Sequence, residues 1–219
     1  MGEIDSMPSR EQFHSEMEEL NQDIIRIAYK TKKALSNSID ALFNQDIELA
    51  KQVVSDDKLI DKEEASINDK TILLIAKQQP VATDLRRLII TLRVATDIER
   101  MGDNAKNIAK STIRLGKDYQ EEIPKELRTM SNTALVMLET ALSAFQQEDI
   151  SFAQKLAEMD DKVDKLYKQV VTSMLGKTAI NSEEVQYLMQ IAFSARYIER
   201  FADHITNIGE SILFLVKGE

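Results

Sequence analysis

The sequence predicts an all-α protein built as two tandem, sequence-related three-helix bundles with six long helices, and three observations predict it. Apolar residues recur at three- and four-residue spacing through long stretches, as in helices with one buried face. Gly and Pro number only 6 and 3 in 219 residues and aromatics make up 5%, too few for a sheet protein with its turns and aromatic-rich strands. One stretch occurs twice, ATDIERMGDNAKNIAK from Ala95 and SARYIERFADHITNIGE from Ser194. At an offset of 100 residues, Ile98, Glu99, Arg100, Asp103, Asn107 and Ile108 meet Ile198, Glu199, Arg200, Asp203, Asn207 and Ile208. Such a repeat implies two equivalent units.

In chain order, residues 1–10 read as a polar tail, residues 11–117 as the first three-helix repeat and residues 118–219 as the second. Met1 to Ser6 fits the short MGxxxS pattern, which is too common by chance to carry a lipidation argument. Helix one is expected from Phe13 to Phe43, on Met17, Leu20, Ile24, Ile27, Leu35, Ile39 and Leu42. Asp46 is placed to cap helix two, which runs to about Lys77. Pro80 forces a turn, and Asp84 opens helix three, which runs to about Gly116. Helix four is expected from Pro124 to Phe145. Asp149 caps helix five, to Leu175, by equivalence with Asp46 at an offset of 103 residues. Asn181 or Ser182, with Glu184 close by, caps helix six, to Val216.

With Asp+Glu 37 against Lys+Arg 28, the net charge of −9 disfavours nucleic acid or an anionic membrane as the main partner. The absence of Cys excludes disulfides and thiolate metal sites and agrees with a reducing cytosol. No apolar run is long enough to span a bilayer, and the start lacks the features of a secretory signal.

Acids four apart share a helix face. Asp57 and Asp61, Glu99 and Asp103, Asp160 and Asp164, and Glu199 and Asp203 form four such pairs on helices two, three, five and six. Asp57 and Asp61 lie 23 and 19 residues before Pro80, and Glu99 and Asp103 lie 19 and 23 after it. An antiparallel hairpin about Pro80 therefore brings the two pairs to one height. In the second half the midpoint falls on the Asn181/Ser182 turn. Like charges so gathered repel by roughly 3 kcal/mol per pair at about 5 Å and an effective dielectric near 20, so an added cation is the economical remedy. Oxygen-only ligands suit Mg, Ca, Mn or ferric iron; zinc is less favoured, although His204 stands next to Asp203. Asn107 and Asn207 extend the acidic stripes.

Other groups carry weaker signals. Arg100 and Arg200 read as interhelical or surface ion pairs, and Arg86, Arg87 and Arg93 as helix-surface charges with the chemistry to bind phosphate. His14 reads as inert, and the methionines as core filler. The chain lacks GxxxxGK[ST], GxGxxG, HExxH and GxSxG motifs, and none of the four acid pairs has the Glu-x-x-His spacing of a di-iron oxidase.

The stretch QQPVATDLRRLIITLRVATDIERMGDNAKNIAK, from Gln78, and its weaker copy YIERFADHITNIGE, from Tyr197, resemble the PhoU family of bacterial and archaeal phosphate-signalling proteins. The resemblance spans nearly the whole chain and includes the four E/DxxxD pairs and the QPxxxDLR turn. It implies a cytoplasmic, non-enzymatic negative regulator of phosphate uptake and of the phosphate-starvation response, often a homodimer. Such a protein sits between the ATPase subunit of a phosphate ABC transporter and a sensor histidine kinase, meeting the membrane only through its partners. It also implies metal ligation (Fe, Mn, Mg or Zn) by Asp57, Asp61, Glu99 and Asp103 and by Asp160, Asp164, Glu199 and Asp203. Many family members carry His after the aspartate in both repeats; here Asn104 stands in the first and His204 in the second, so the two sites are expected to differ. The competing expectations are a helical-bundle metalloenzyme, oxidase or phosphohydrolase, on the same carboxylates, and a regulator of a low-affinity phosphate permease.

Overall fold

A computed structural model describes residues 10–217 apart from Asp118, Gln120 and Ile180, with the backbone alone for Ala153 and Gln154. The expected tail and the MGxxxS pattern fall almost wholly outside the described residues. Six helices follow one another: α1 Arg10–Asn44, α2 Ile47–Gln78, α3 Ala82–Leu115, α4 Lys125–Gln147, α5 Ala153–Leu175 and α6 Ser182–Lys217. The described residues contain no strand, and the class is all-α as the periodicity requires.

The duplication is legible in the turns as well as in the sequence. Gln45 and Glu148, 103 residues apart, both adopt left-handed backbone angles, φ 54° and 50°. The next residue then donates to the carbonyl five back, Asp46 N to Ala41 O at 2.9 Å and Asp149 N to Ala144 O at 3.1 Å. From there the copies diverge. Asp46 caps α2 as expected, accepting from Leu49 N at 2.9 Å. Asp149 caps nothing: its carboxylate accepts from Ser151 N at 2.8 Å and from Ser151 Oγ at 2.9 Å, closing an Asx turn, and α5 begins later, with Phe152 at its N-cap. Ser151 supplies donors two residues on and captures the side chain before the helix amides do. The first copy has Glu48 there, whose side chain has no donor. Helix α3 opens two residues ahead of Asp84, with Val81 at its N-cap, and α6 is capped by Asn181, whose Oδ1 accepts from Glu184 N at 2.9 Å.

Helices α1, α2 and α3 pack on one another, as do α4, α5 and α6, and the two triplets join chiefly along α3 and α6, with a smaller contact between α1 and α4. α3 and α6 are therefore the inner helices. Each buries residues over most of its circumference, among them Leu88, Ile90, Val94, Ile98, Met101, Ala105 and Ile108 on α3 and Ile191, Ala195, Ile198, Phe201, Ile205, Ile208 and Ile212 on α6. One continuous hydrophobic core runs through both repeats. Polar ties close its edges: Arg87 on α3 forks onto both carboxylate oxygens of Glu148 at 2.8 and 3.1 Å, and Arg128 on α4 reaches Asp40 on α1 at 2.8 Å.

A buried charge pins α1 to α2. Asp23 is 4% exposed and accepts from Arg26 Nη2 at 2.5 Å and from Lys70 Nζ at 2.8 Å. Burial alone would push its carboxyl up; the hydrogen bonds from Lys70 and Arg26 outweigh it and hold the carboxyl below the usual range. A folded-state value below the unfolded one, about 3.9, stabilises the fold above that value and is lost as pH falls through the folded value. Urea titration of Asp23→Asn should therefore show a loss of about 1–3 kcal/mol at pH 7, and the gap to the parent should close as pH falls below the unfolded-state value of about 3.9. A gap independent of pH would mean that the pairing does not hold the carboxylate ionised.

Candidate functional site

The Pro80 turn sets the α2/α3 register as its symmetry demands. Thr96 Oγ1 on α3 donates to Glu64 Oε1 on α2 at 3.2 Å, and Lys106 on α3 bonds to Asp57 on α2, each pair lying near-equidistant from Pro80. Close approach is helped by Gly102: a Cβ there would stand 3.1 Å from Ile60 Cδ1 and 3.6 Å from Asp57 Oδ1. In this setting Asp57 is buried, Glu99 and Asp103 are half-buried, and Asp61 faces solvent. In the second half Glu199 is buried, Asp160 and Asp164 are half-buried, and Asp203 is exposed.

The acids feel one another across each helix pair. Burial, then the charges of Asp103 and Asp61, push the Glu99 carboxyl above its ordinary value. Burial likewise raises Asp57, opposed by Lys106 and reinforced by Asp61 and Asp103. In the second half burial followed by Asp164 and Asp203 raises Asp160, with a hydrogen bond from Thr206 working against them. Burial and Asp203 raise Glu199 against Arg196, and burial raises Asp203 itself. The eight acids thus fall into two clusters of four, one on α2/α3 and one on α5/α6. They are not closed into coordination shells: among the described residues no three His, Asp or Glu side chains are grouped so as to hold a metal ion.

The clusters differ in their counter-charges. In the first, the Lys106 ammonium donates to Asp57 Oδ2 across the helix pair at 2.5 Å and to Asp103 on its own helix. Burial would lower the Lys106 pKa, but the two carboxylates override this and the net shift is upward. Position 206 in the second copy is Thr. The cation there is Arg196, three residues before its partner on the same helix and half exposed, which donates to Glu199 Oε1 at 2.5 Å. The other oxygen, Glu199 Oε2, is buried without a hydrogen-bond partner, as is Asp57 Oδ1 in the first cluster. Orphaned carboxylate oxygens among other acids fit an oxygen-ligated cation.

Two residues expected near the second cluster are elsewhere. His204 Nδ1 meets Asp97 Oδ1 on α3 at 2.9 Å, and Asn207 Nδ2 donates to the same oxygen at 3.2 Å. The reason is rotational: eight residues at about 100° each overshoot two turns by about 80°, so Asn207 swings off the stripe that starts at Glu199. Asp97 and Asn207, with Arg93, Thr96, Arg100 and Glu210, line a cleft of about 620 Å³ along the α3/α6 seam. The other two candidate phosphate-binding arginines are engaged within the fold: Arg87 holds Glu148, and Arg86 donates to Leu215 O at 3.4 Å and lies over the Phe214 ring. Sequence reading missed Lys106. It lies inside the repeated stretch, and its mismatch with Thr206 was the available signal.

The fold and these clusters define a class: a duplicated three-helix-bundle protein with an interhelical carboxylate cluster in each repeat and, among the described residues, no helix long and apolar enough to cross a membrane. The family model described as the PhoU domain matches residues 24–112 and 127–212, and the chain belongs to the PhoU family. It is 35% identical over 212 residues to a phosphate-specific transport system accessory protein PhoU homolog of Clostridium acetobutylicum, covering 96% of this chain and 97% of that one. The PhoU accessory protein of Escherichia coli is 31% identical over 95% of this chain and 86% of its own. Among solved structures, the phosphate transport system regulatory protein PhoU from Streptococcus pneumoniae superposes with a TM-score of 0.87 at 29% identity over 94% of this chain and 98% of that one. PhoU from Pseudomonas aeruginosa gives 0.85 at 29% identity over 94% and 100%.

Proposed function

We propose that the chain is a regulatory accessory protein of phosphate transport that acts by binding rather than by catalysis. It restrains phosphate uptake and the phosphate-starvation response when phosphate is plentiful, as a cytoplasmic adaptor between the ATPase subunit of a phosphate ABC transporter and a sensor histidine kinase. The observation that carries this reading is the match to PhoU proteins along almost the whole chain. The fold agrees with it, since a long helical bundle offers outer faces of α1, α2, α4 and α5 to partners while its core stays rigid. We further propose that the protein forms a homodimer. The eight acids Asp57, Asp61, Glu99, Asp103, Asp160, Asp164, Glu199 and Asp203 would hold Fe, Mn, Mg or Zn. Such an ion would neutralise each cluster and tie α2 to α3 and α5 to α6.

The test is genetic and biochemical together. Loss of the gene should leave phosphate-starvation promoters active in phosphate-replete medium, and the purified chain should retain the transporter ATPase and the kinase from extracts of its own cells, as read by mass spectrometry. Normal repression in the deletion strain would overturn the regulatory reading. Retention of neither partner would overturn the adaptor.

A further inference from the structure

Among the described residues, Lys106 is the side chain that most clearly separates the two carboxylate clusters. Its ammonium lies between α2 and α3, bonded at 2.5 Å to Asp57, which is 4% exposed, and also to Asp103. The equivalent place on α6 holds Thr206, whose hydroxyl offers Asp160 a hydrogen bond but no charge. Arg196 does not take over the bridging role. It sits on the same helix as its partner Glu199, with its side chain 47% exposed, and each cluster keeps one buried unpartnered oxygen, Glu199 Oε2 here and Asp57 Oδ1 in the first. The first cluster thus carries an interhelical positive charge built into the chain; among the described residues the second shows none.

We propose that Lys106 is the resident cation of the α2/α3 cluster, standing where an added ion stands in the α5/α6 cluster, so that divalent metal loads the second repeat first and enters the first only when the Lys106 ammonium is withdrawn. The physical basis is competition. A divalent ion approaching Asp57 and Asp103 must displace an ammonium already hydrogen-bonded to both, and it meets like-charge repulsion until it does. This inference rests on the reading of the acids as cation ligands.

The experiment is a Mn²⁺ titration of the full chain, with free Mn²⁺ followed by electron paramagnetic resonance. The parent is compared with Lys106→Thr, which reproduces the second repeat, with Lys106→Met, which keeps the apolar stem without charge, and with Lys106→Arg, which keeps the charge. Each is also combined with Asp160→Asn/Asp164→Asn, and thermal melts in chelator establish that every variant is folded. The parent should show one class of site, lost in the Asp160→Asn/Asp164→Asn background. Lys106→Thr and Lys106→Met should gain a further class that survives in that background and binds at least about tenfold more tightly than the parent does there; Lys106→Arg should not. Equal binding at both clusters of the parent would overturn the proposal. So would failure of both neutral variants to gain a site while the α5/α6 site persists. Mn²⁺ binding by none of the proteins would overturn the metal reading itself, and this inference with it. A gain in Lys106→Thr and Lys106→Met beside a parent that binds nothing would overturn the proposed order of loading, since the second repeat would then take no metal.

Discussion

Phe201→Ala should cost about 3–5 kcal/mol, the range for truncating a fully buried aromatic, and lower the thermal midpoint by roughly 6–20 °C at this chain length. Phe201 is 0% exposed and among the largest fully buried side chains. It lies one turn before His204, whose ring meets Asp97 on α3, so it is on the side of α6 that faces the other repeat. Dense packing around it leaves little freedom for the site to collapse. Because one core is shared by both repeats, calorimetry should show a single transition moving as a whole, with Phe201→Leu losing much less. Two separate transitions, with only one displaced, would show that the repeats melt as independent units.

Asp97→Ala should lose about 2–3 kcal/mol, with Asp97→Asn recovering much of it by keeping an acceptor. Asp97 is 8% exposed, and its Oδ1 accepts from both His204 and Asn207. Truncation leaves a buried ring N–H and an amide without their shared acceptor, and buried donors without partners cost about 1–3 kcal/mol each. The cleft beside them lets water recover a part of this for Asn207, which is exposed. Urea denaturation of Asp97→Ala, His204→Ala and the double variant gives the coupling directly, expected at 1 kcal/mol or more by the usual strength of contacting pairs, roughly 0.5–3 kcal/mol. Additive losses would mean that the two side chains are held by their packing alone.

The fold was readable because both of its determinants are local. Helix identity follows from apolar spacing, and the height at which α2 meets α3 follows from the position of Pro80, since a tight antiparallel turn has one register. That is why Glu64 and Thr96 meet where equal arms place them. The gathering of acids followed from the same arithmetic. What resisted reading was azimuth and competition. Whether Asn207 stays with Glu199 depends on an angular drift that a four-residue lattice hides over two turns. Whether Asp149 caps a helix depends on Ser151, a nearer donor that Asp46 does not have. Lys106 was obscured by its chemistry: Lys is usually a solvated surface charge, and only the depth of Asp57 across the helix pair makes this one structural.

The α3/α6 seam has a further consequence. The two helices run antiparallel, as the pairings of Gln186 with Arg114, His204 with Asp97 and Arg86 with Leu215 require, and they are copies of one another. Their contact therefore has the geometry of a twofold homodimer interface, closed within a single polypeptide. In a dimer of identical chains every substitution at such an interface appears on both sides of the dyad. Here the mate of Asp97–His204 is Tyr197–Asn104, and Asn104 donates to the Arg100 carbonyl at 2.9 Å on its own helix. Fusion has freed one edge of the seam to become a polar cleft while the other took a different path, giving an otherwise symmetric body a front and a back.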